Sequence, residues 1–293
     1  MSVGFRHQLA LPSATVQFQF AAHSDRGAVR KLNEDSYLAA PPLFVVADGM
    51  GGHSFGDRAS QAAIATFAGV FDPASAARPD VVLDTIRLAN EAVLALTAGP
   101  ELQGTVSGTT LVGVAFVELD GAAGQHWMAF NVGDSRVYGW DGRTLSQVSV
   151  DHSAVQEMVD AGEITRAEAD RHPLRNVVTR ALGADSEVDA DVWLLPAADR
   201  QTFLLCSDGL TKELGDDEIA RIIVFHNAAS AEDDELAPTL AERLVNAAIA
   251  AGGSDNVTVV VVESQLAGAA NASEDTVDRN RMPRFLEETR PRG

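Results

Sequence analysis

Strand-like stretches in this sequence come in adjacent pairs, and that grouping restricts the fold more than any other feature. Val16, Phe18 and Phe20 alternate with Gln17 and Gln19, the period of two expected of a strand with one buried face. Similar runs follow at 43–47, 109–117, 126–132, 136–140, 202–206 and 257–263, and helical patterns occupy 57–70, 79–96, 154–161, 216–225 and 236–251. Several neighbouring strands are joined by turns as short as Gly133–Ser135 or Asp141–Gly142, with no helix between them. The expectation is an α+β chain of antiparallel sheets covered by helices, not a doubly wound parallel sheet.

Charge narrows the partners. Lys and Arg number 22 against 42 Asp and Glu, a formal net charge of −20, so sequence-independent binding to DNA or RNA is disfavoured. The longest apolar run, 257–262, is strand-sized, far short of the roughly 20 residues of a membrane helix. No signal-peptide core is visible in MSVGFRHQLALPSATV, and Cys206 is the sole cysteine, which rules out an intrachain disulfide and a cysteine zinc cage. These features predict a protein of the reducing cytoplasm with no membrane partner.

Three stretches depart from the strand–helix scheme. Residues 1–13 read as an N-terminal extension to a domain spanning 14–265. Residues 153–186 are charged and mostly helical, an excursion from the core that reads as a lid or flap, and 266–293 read as a polar, mobile tail.

Within the domain, an apolar run meets an aspartate four times. LFVVAD reaches Asp48, FNVGD reaches Asp134, FLLCSD reaches Asp208, and in GGSDN Asp255 opens the run VTVVVV. One Asp-Gly is an ordinary turn. Four carboxylates at strand termini gather anions at a sheet edge, which repel unless cations lie among them. Oxygen ligands suit magnesium or manganese, and the seven histidines show no paired spacing that would suit zinc.

Upstream, DRGAVRKLNEDS sets Arg30 close to Glu34 and Asp35, and an arginine fork beside acidic ligands can grip a phosphate. The loop DGMGGH, with Gly49, Gly51 and Gly52, lets a carbonyl be presented without an obstructing Cβ. The same loop is a near miss to the dinucleotide fingerprint, with Ser54 at the third glycine position and Asp48 set against the pyrophosphate.

Read in order, RGAVRKLNED, VADGMGGH, SGTT, NVGDSRVY, VTRALG, CSDGL and GGSDNVT resemble the motif series of the metal-dependent type 2C protein phosphatases in their bacterial form, over residues from about 20 to 263. The resemblance implies a four-layer α-β-β-α sandwich, two antiparallel sheets flanked by helix pairs, with two Mn²⁺ or Mg²⁺ ions at one end and a flap subdomain. It implies that Asp48 bridges the metals, that Gly49 lends its carbonyl, that Asp208 and Asp255 are direct ligands, and that Glu34 acts through water. Asp134 would help Asp208 hold a third, weaker metal, with Asp35 and Asn256 in support. Arg30 would clamp the substrate phosphate. Animal members carry a histidine directly after the Asp-Gly, where this chain has Met50, so His53 is the candidate proton donor.

The implied activity is hydrolysis of phosphoserine and phosphothreonine in proteins by a metal-activated hydroxide, in a monomer that opposes a bacterial Ser/Thr kinase. The alternatives are a non-catalytic phosphoprotein adaptor and a dinucleotide-binding enzyme. His152 and His172 border the flap and read as capping or surface residues, and Cys206 as a buried hydrophobe.

Overall fold

The computed structural model describes residues 4–11, 14–51, 55–97, 107–119, 124–229 and 237–267. One sheet runs in the order β1 (Phe5–Ala10), β2 (Thr15–Asp25), β12 (Val257–Ala267), β11 (Arg200–Cys206), β8 (Arg136–Trp140) and β9 (Leu145–Gln147). The other runs β10 (Asp191–Pro196), β7 (Gln125–Val132), β6 (Leu111–Glu118), β4 (Leu43–Gly51) and β3 (Asp35–Ala40), with the short β5 (Ser107–Thr109) also on β4. Every ladder between these strands is antiparallel. The dinucleotide reading fails here, since that fold needs parallel strands joined by crossover helices.

Alternation along the strands builds the layers. On β12, Val260 and Val262 pack between the sheets, while Val257, Val259 and Val261 pack under α5 (Asp208–Glu213), α6 (Asp216–Ala229) and α7 (Leu240–Ala251). On β4, Phe44 and Val46 enter the space between the sheets, and Leu43, Val45 and Ala47 face α1 (Gly56–Ala68) and α2 (Pro79–Ala95). The result is the four-layer α-β-β-α sandwich that the resemblance implies. Among the described residues no helix is long and apolar enough to cross a membrane.

Several strands escape the sequence reading for identifiable reasons. Phe5–Ala10, inside the stretch read as an extension, is edge strand β1, and its mixed side chains hide the alternation. β10 carries an aspartate and a proline and is also an edge strand, where both are tolerated. The run expected at 109–117 divides at Thr110 into β5 and β6. Helix α7 starts four residues later than expected, at a capping box in which the Thr239 hydroxyl accepts from the Glu242 amide and the Glu242 carboxylate accepts from Thr239. β12 runs to Ala267, and the rest of the expected tail, 268–293, lies outside the described residues.

Residues 153–186 hold two short helices, α3 (Ala154–Asp160) and α4 (Arg166–Ala169), with only Val155, Ala169 and Leu182 as buried apolar side chains. Both ends of the segment are stitched down. The Ala154 amide donates to the Val177 carbonyl, the Thr179 amide to the His152 carbonyl, and the Leu182 amide to the Thr109 carbonyl.

The few aromatics are concentrated at the centre of the sandwich. Trp127 is fully buried, with ring centroids of Phe203, Phe116 and Phe18 at 5.1, 5.3 and 5.9 Å. Its indole N–H finds no acceptor among the described residues. Trp127→Ala should therefore cost about 3–5 kcal/mol in urea unfolding. Trp127→Phe should cost clearly less, because it keeps a ring in the cluster and removes the unsatisfied donor.

Candidate metal centre

The pleat of β4 determines where Asp48 points. Phe44 and Val46 face between the sheets, so a period of two sends Asp48 the same way, into the seam at one end of the sandwich. β4 continues through Asp48 to Gly51, so this aspartate does not end its strand as the sequence suggested. Asp35 on β3 is its register partner. From the facing sheet, β11 ends at Cys206 and Ser207 leads into α5, whose first residue is Asp208. Asp255 immediately precedes Asn256 and the start of β12, and Asp134 occupies the β7–β8 turn.

Small hydroxyl residues fix the backbone beneath these carboxylates. The Asp48 amide donates to the Thr110 hydroxyl at 3.0 Å, and the Asp48 carbonyl accepts from the Thr110 amide and the Thr109 hydroxyl, both at 2.9 Å. The Thr110 hydroxyl also bonds the Ser135 hydroxyl at 2.7 Å, which ties Asp48 to the Asp134 turn. Across the seam, the Ser207 hydroxyl donates to Asp35 Oδ2 at 2.8 Å and accepts from the Thr258 amide at 3.0 Å. The SGTT motif thus earns its place as a backbone clamp.

The Gly-rich loop is crowded for a reason visible in the geometry. A Cβ on Gly49 would lie 2.1 Å from the Gly56 carbonyl oxygen. One on Gly56 would lie 2.6 Å from Glu34 Oε1 and 2.9 Å from the Gly49 carbonyl oxygen. Two bare glycines therefore let a carboxylate and a carbonyl approach the same point. Asn256 holds the approaching loop from the other side. Its side chain accepts from the Glu34 amide at 2.9 Å and donates to the Leu32 and Arg26 carbonyls at 2.8 and 3.0 Å, while only its backbone amide reaches Asp255.

Crowding dominates the electrostatics. Burial pushes Asp48 well above the usual carboxylate range, and the charges of Asp35, Asp208 and Asp134 push it further. Burial raises Asp35 to about 7 against the hydrogen bonds from Thr258 and Ser207, and raises Asp134 to about 7 with help from Asp208 and Asp151. Glu34 is raised by burial and lowered in part by Arg30. Asp208 is raised by burial, opposed by Lys212, whereas Asp255 ends below its ordinary value because Lys212, the Asn256 amide and Arg30 outweigh its burial. Asp35 Oδ1 and Asp208 Oδ1 are buried without a hydrogen-bond partner.

The sequence-derived set is thus largely brought together: Glu34, Asp35, Asp48, Gly49, Asp134, Asp208 and Asp255 gather at one end, and Arg30 lies at their edge. Arg30 forks onto Asp255, with Nε 2.8 Å from Oδ1 and Nη2 2.9 Å from Oδ2. Among the described residues no three of the acidic side chains already converge as a closed metal cage. His53 lies outside the described residues. Lys212, one turn along α5, was not singled out by sequence, although its i,i+4 spacing from Asp208 was readable.

His152 is buried and not a surface residue. Its Nδ1 accepts from the Gly133 amide at 3.1 Å and its Nε2 lies 3.2 Å from Asp191, so it braces the turn before Asp134. Arg136, two residues beyond Asp134, forks onto Asp151 and donates to the Tyr138 hydroxyl, which donates to Asp216 at the start of α6. Cys206 is a buried free thiol, raised to about 12 by burial, as a structural residue would be.

Comparison with known proteins gives one consistent result. Residues 22–246 match the family described as protein phosphatase 2C. The serine/threonine protein phosphatase PstP of Mycobacterium tuberculosis is 38% identical over 251 residues, 85% of this chain and 45% of PstP, so the chain spans less than half the length of that relative. The serine/threonine phosphatase stp of Listeria welshimeri is 34% identical over 253 residues, covering 83% of this chain and 94% of stp. Among solved structures, the catalytic domain of PstP in complex with two manganese ions superposes with a TM-score of 0.70 at 34% identity, over 85% of this chain and 99% of that domain. A sandwich of two antiparallel sheets, a carboxylate cluster at one end of its seam and these matches have one reading: the chain belongs to the protein phosphatase 2C family.

Proposed function

We infer that this protein is a metal-dependent protein serine/threonine phosphatase. The observation that carries the reading is the pair of buried carboxylate oxygens, Asp35 Oδ1 and Asp208 Oδ1, left without partners among acids that already repel one another. Such a donor set is all oxygen, which fits Mn²⁺ or Mg²⁺. Asp48, the Gly49 carbonyl, Asp208 and Asp255 would hold two ions, with Glu34 reaching them through water. Asp134 and Asp208 would hold a third, weaker one. When bound, the cations supply the Lewis acidity that readies a water for attack on phosphorus and neutralises the phosphoryl oxygens.

The residues of the chain supply orientation. Arg30, at the rim beside Asp255, is placed to take the phosphate oxygens with the same fork that now holds the carboxylate. Asn256 fixes the loop on which Arg30 and Glu34 ride. His53 is our candidate for protonating the leaving serine or threonine oxygen. The relatives' names support phosphorylated Ser/Thr proteins as substrates, and we take the activity opposed to be a Ser/Thr kinase. We take the working unit to be a cytoplasmic monomer.

Residues 153–186 border the site through the Leu182–Thr109 bridge and would govern access for protein substrates. Of its arginines, Arg166 donates to Gln147 and Arg180 to Asp191, while Arg171 and Arg175 are exposed. Replacing Arg171 and Arg175 with alanine should raise KM for a phosphopeptide more than for a small aryl phosphate, with kcat changing less. Steady-state kinetics on both substrates checks this, and equal effects would count against recognition through the flap.

Two further outcomes test the centre itself. Asp208→Asn should abolish turnover of a phosphothreonine peptide in Mn²⁺ buffer while circular dichroism shows the fold intact. Near wild-type turnover would sink the assignment. Asp48→Asn removes one charge from the crowded seam, so the metal-free variant should gain about 1 kcal/mol, or roughly 2–4 °C in melting temperature for a domain of this size. The rise in melting temperature that Mn²⁺ gives the wild type should be lost in the same variant.

A further inference from the structure

Lysine is scarce in this chain. Of 22 basic residues only Lys31 and Lys212 are lysines, and the rest are arginines. Both are exposed at the surface, but Lys212 lies against the carboxylate cluster, its side chain 26% accessible. Its Nζ lies 2.6 Å from Asp208 Oδ2 and 2.7 Å from Asp255 Oδ2, bridging two residues 47 positions apart and belonging to different elements. Arg30 covers both oxygens of Asp255 from the other side. The seam is therefore unequal. Asp208 keeps one oxygen with no partner, while Asp255 has none left over.

We propose that Lys212 is a built-in counter-ion for the Asp208–Asp255 pair, which it must vacate before a divalent cation can use Asp255, so that this one side chain sets the affinity of that half of the metal centre. This rests on the phosphatase reading given above and adds to it the residue that opposes loading. The chemistry favours lysine for such a task. An ammonium is a compact point charge on a flexible four-carbon stem, so it fits between two carboxylates and can swing out to water in a single movement. A guanidinium fork, as Arg30 shows on Asp255, binds one carboxylate by two parallel contacts and suits a longer-lived pairing. Position on α5 helps as well. Lys212 is one turn from Asp208 on a six-residue helix, so its release requires rotation of its own side chain and no shift of the backbone that carries Asp208.

The consequence is a trade between two states. Without metal, Lys212 relieves repulsion between carboxylates that the fold forces together. With metal, the same charge is a competitor, and its removal should tighten binding. Isothermal titration with Mn²⁺ reads this without reference to turnover. Lys212→Met should bind Mn²⁺ at least about tenfold more tightly than wild type at the weaker of the two principal sites. Its metal-free melting temperature should fall. Lys212→Arg, which keeps a positive charge, should stay closer to wild type than Lys212→Met. An affinity for Mn²⁺ in Lys212→Met equal to or weaker than wild type overturns the proposal.

The wild-type protein offers a second measurement that no folding defect can obscure. Labelled with ¹³Cε-lysine it gives two side-chain environments, one from Lys31 and one from Lys212. Saturation with diamagnetic Mg²⁺ should move the Lys212 signal toward the solvent-exposed position of Lys31, and a Lys212 signal unmoved at saturation overturns the proposal. If wild type takes up no Mn²⁺ or Mg²⁺ at all, the phosphatase reading falls with it, whereas uptake with Lys212 unmoved removes this inference alone.

Discussion

Repulsion between carboxylates at one end of the sandwich is the constraint to which the surrounding structure answers. Asp35, Asp48, Asp134 and Asp208 are all pushed up by burial, and in each a neighbouring carboxylate adds to the push. Left to local preference, such side chains would turn out to water. They are instead held by backbone that has no freedom to turn: Asp48 lies within a paired strand, Asp208 on the first turn of a helix, and Asp255 between Gly253 and Asn256 in a loop bonded to the Arg26–Glu34 segment. The core supplies the rigidity for this, since the aromatic cluster around Trp127 and the aliphatic faces of β4, β11 and β12 fix both sheets against each other.

Polar residues without charge do much of the connecting work. Thr110 links Asp48 to Ser135, Ser207 links Asp35 to Thr258, and Asn256 links the start of β12 to the loop carrying Glu34. Each bond is short, buried or half-buried, and joins elements far apart in sequence. In a low-dielectric seam such bonds are stronger than at the surface, and an unpaired partner would be costly. The cluster is therefore positioned by neutral neighbours and left short of positive charge, an arrangement suited to accepting cations from outside.

Much of this was legible from sequence, for reasons that differ by element. Asp48, Asp208 and Asp255 were visible because an apolar run of β-branched or aliphatic residues stops or starts at a charge, and such discontinuities mark strand ends. Antiparallel pairing was visible in the short turns around Gly133 and Gly142. What stayed hidden depends on contacts between distant residues. β1 has mixed polarity because it is an edge strand, and its pairing with β2 follows from register, not from its own pattern. His152 looks like a loop residue until the Gly133 amide and Asp191 are seen on its two ring nitrogens. Lys212 was overlooked for a different reason: charge next to charge in SDGLTKE reads as a solvated helix face, and only the arrival of Asp255 from another element ties it to the cluster.

The direction of β12 has a consequence for how the molecule can be tethered. This strand leaves the carboxylate cluster just after Asp255 and runs unbroken from Val257 to Ala267, paired along most of its length with β2 on one side and β11 on the other. At about 3.3 Å per residue it spans roughly 35 Å. Anything joined after Ala267 is thereby handed off at the pole opposite the site, beside Thr15 of β2. A linker, an anchor or a second domain joined there would therefore begin at the far end of β12 from Asp255 and the carboxylate cluster.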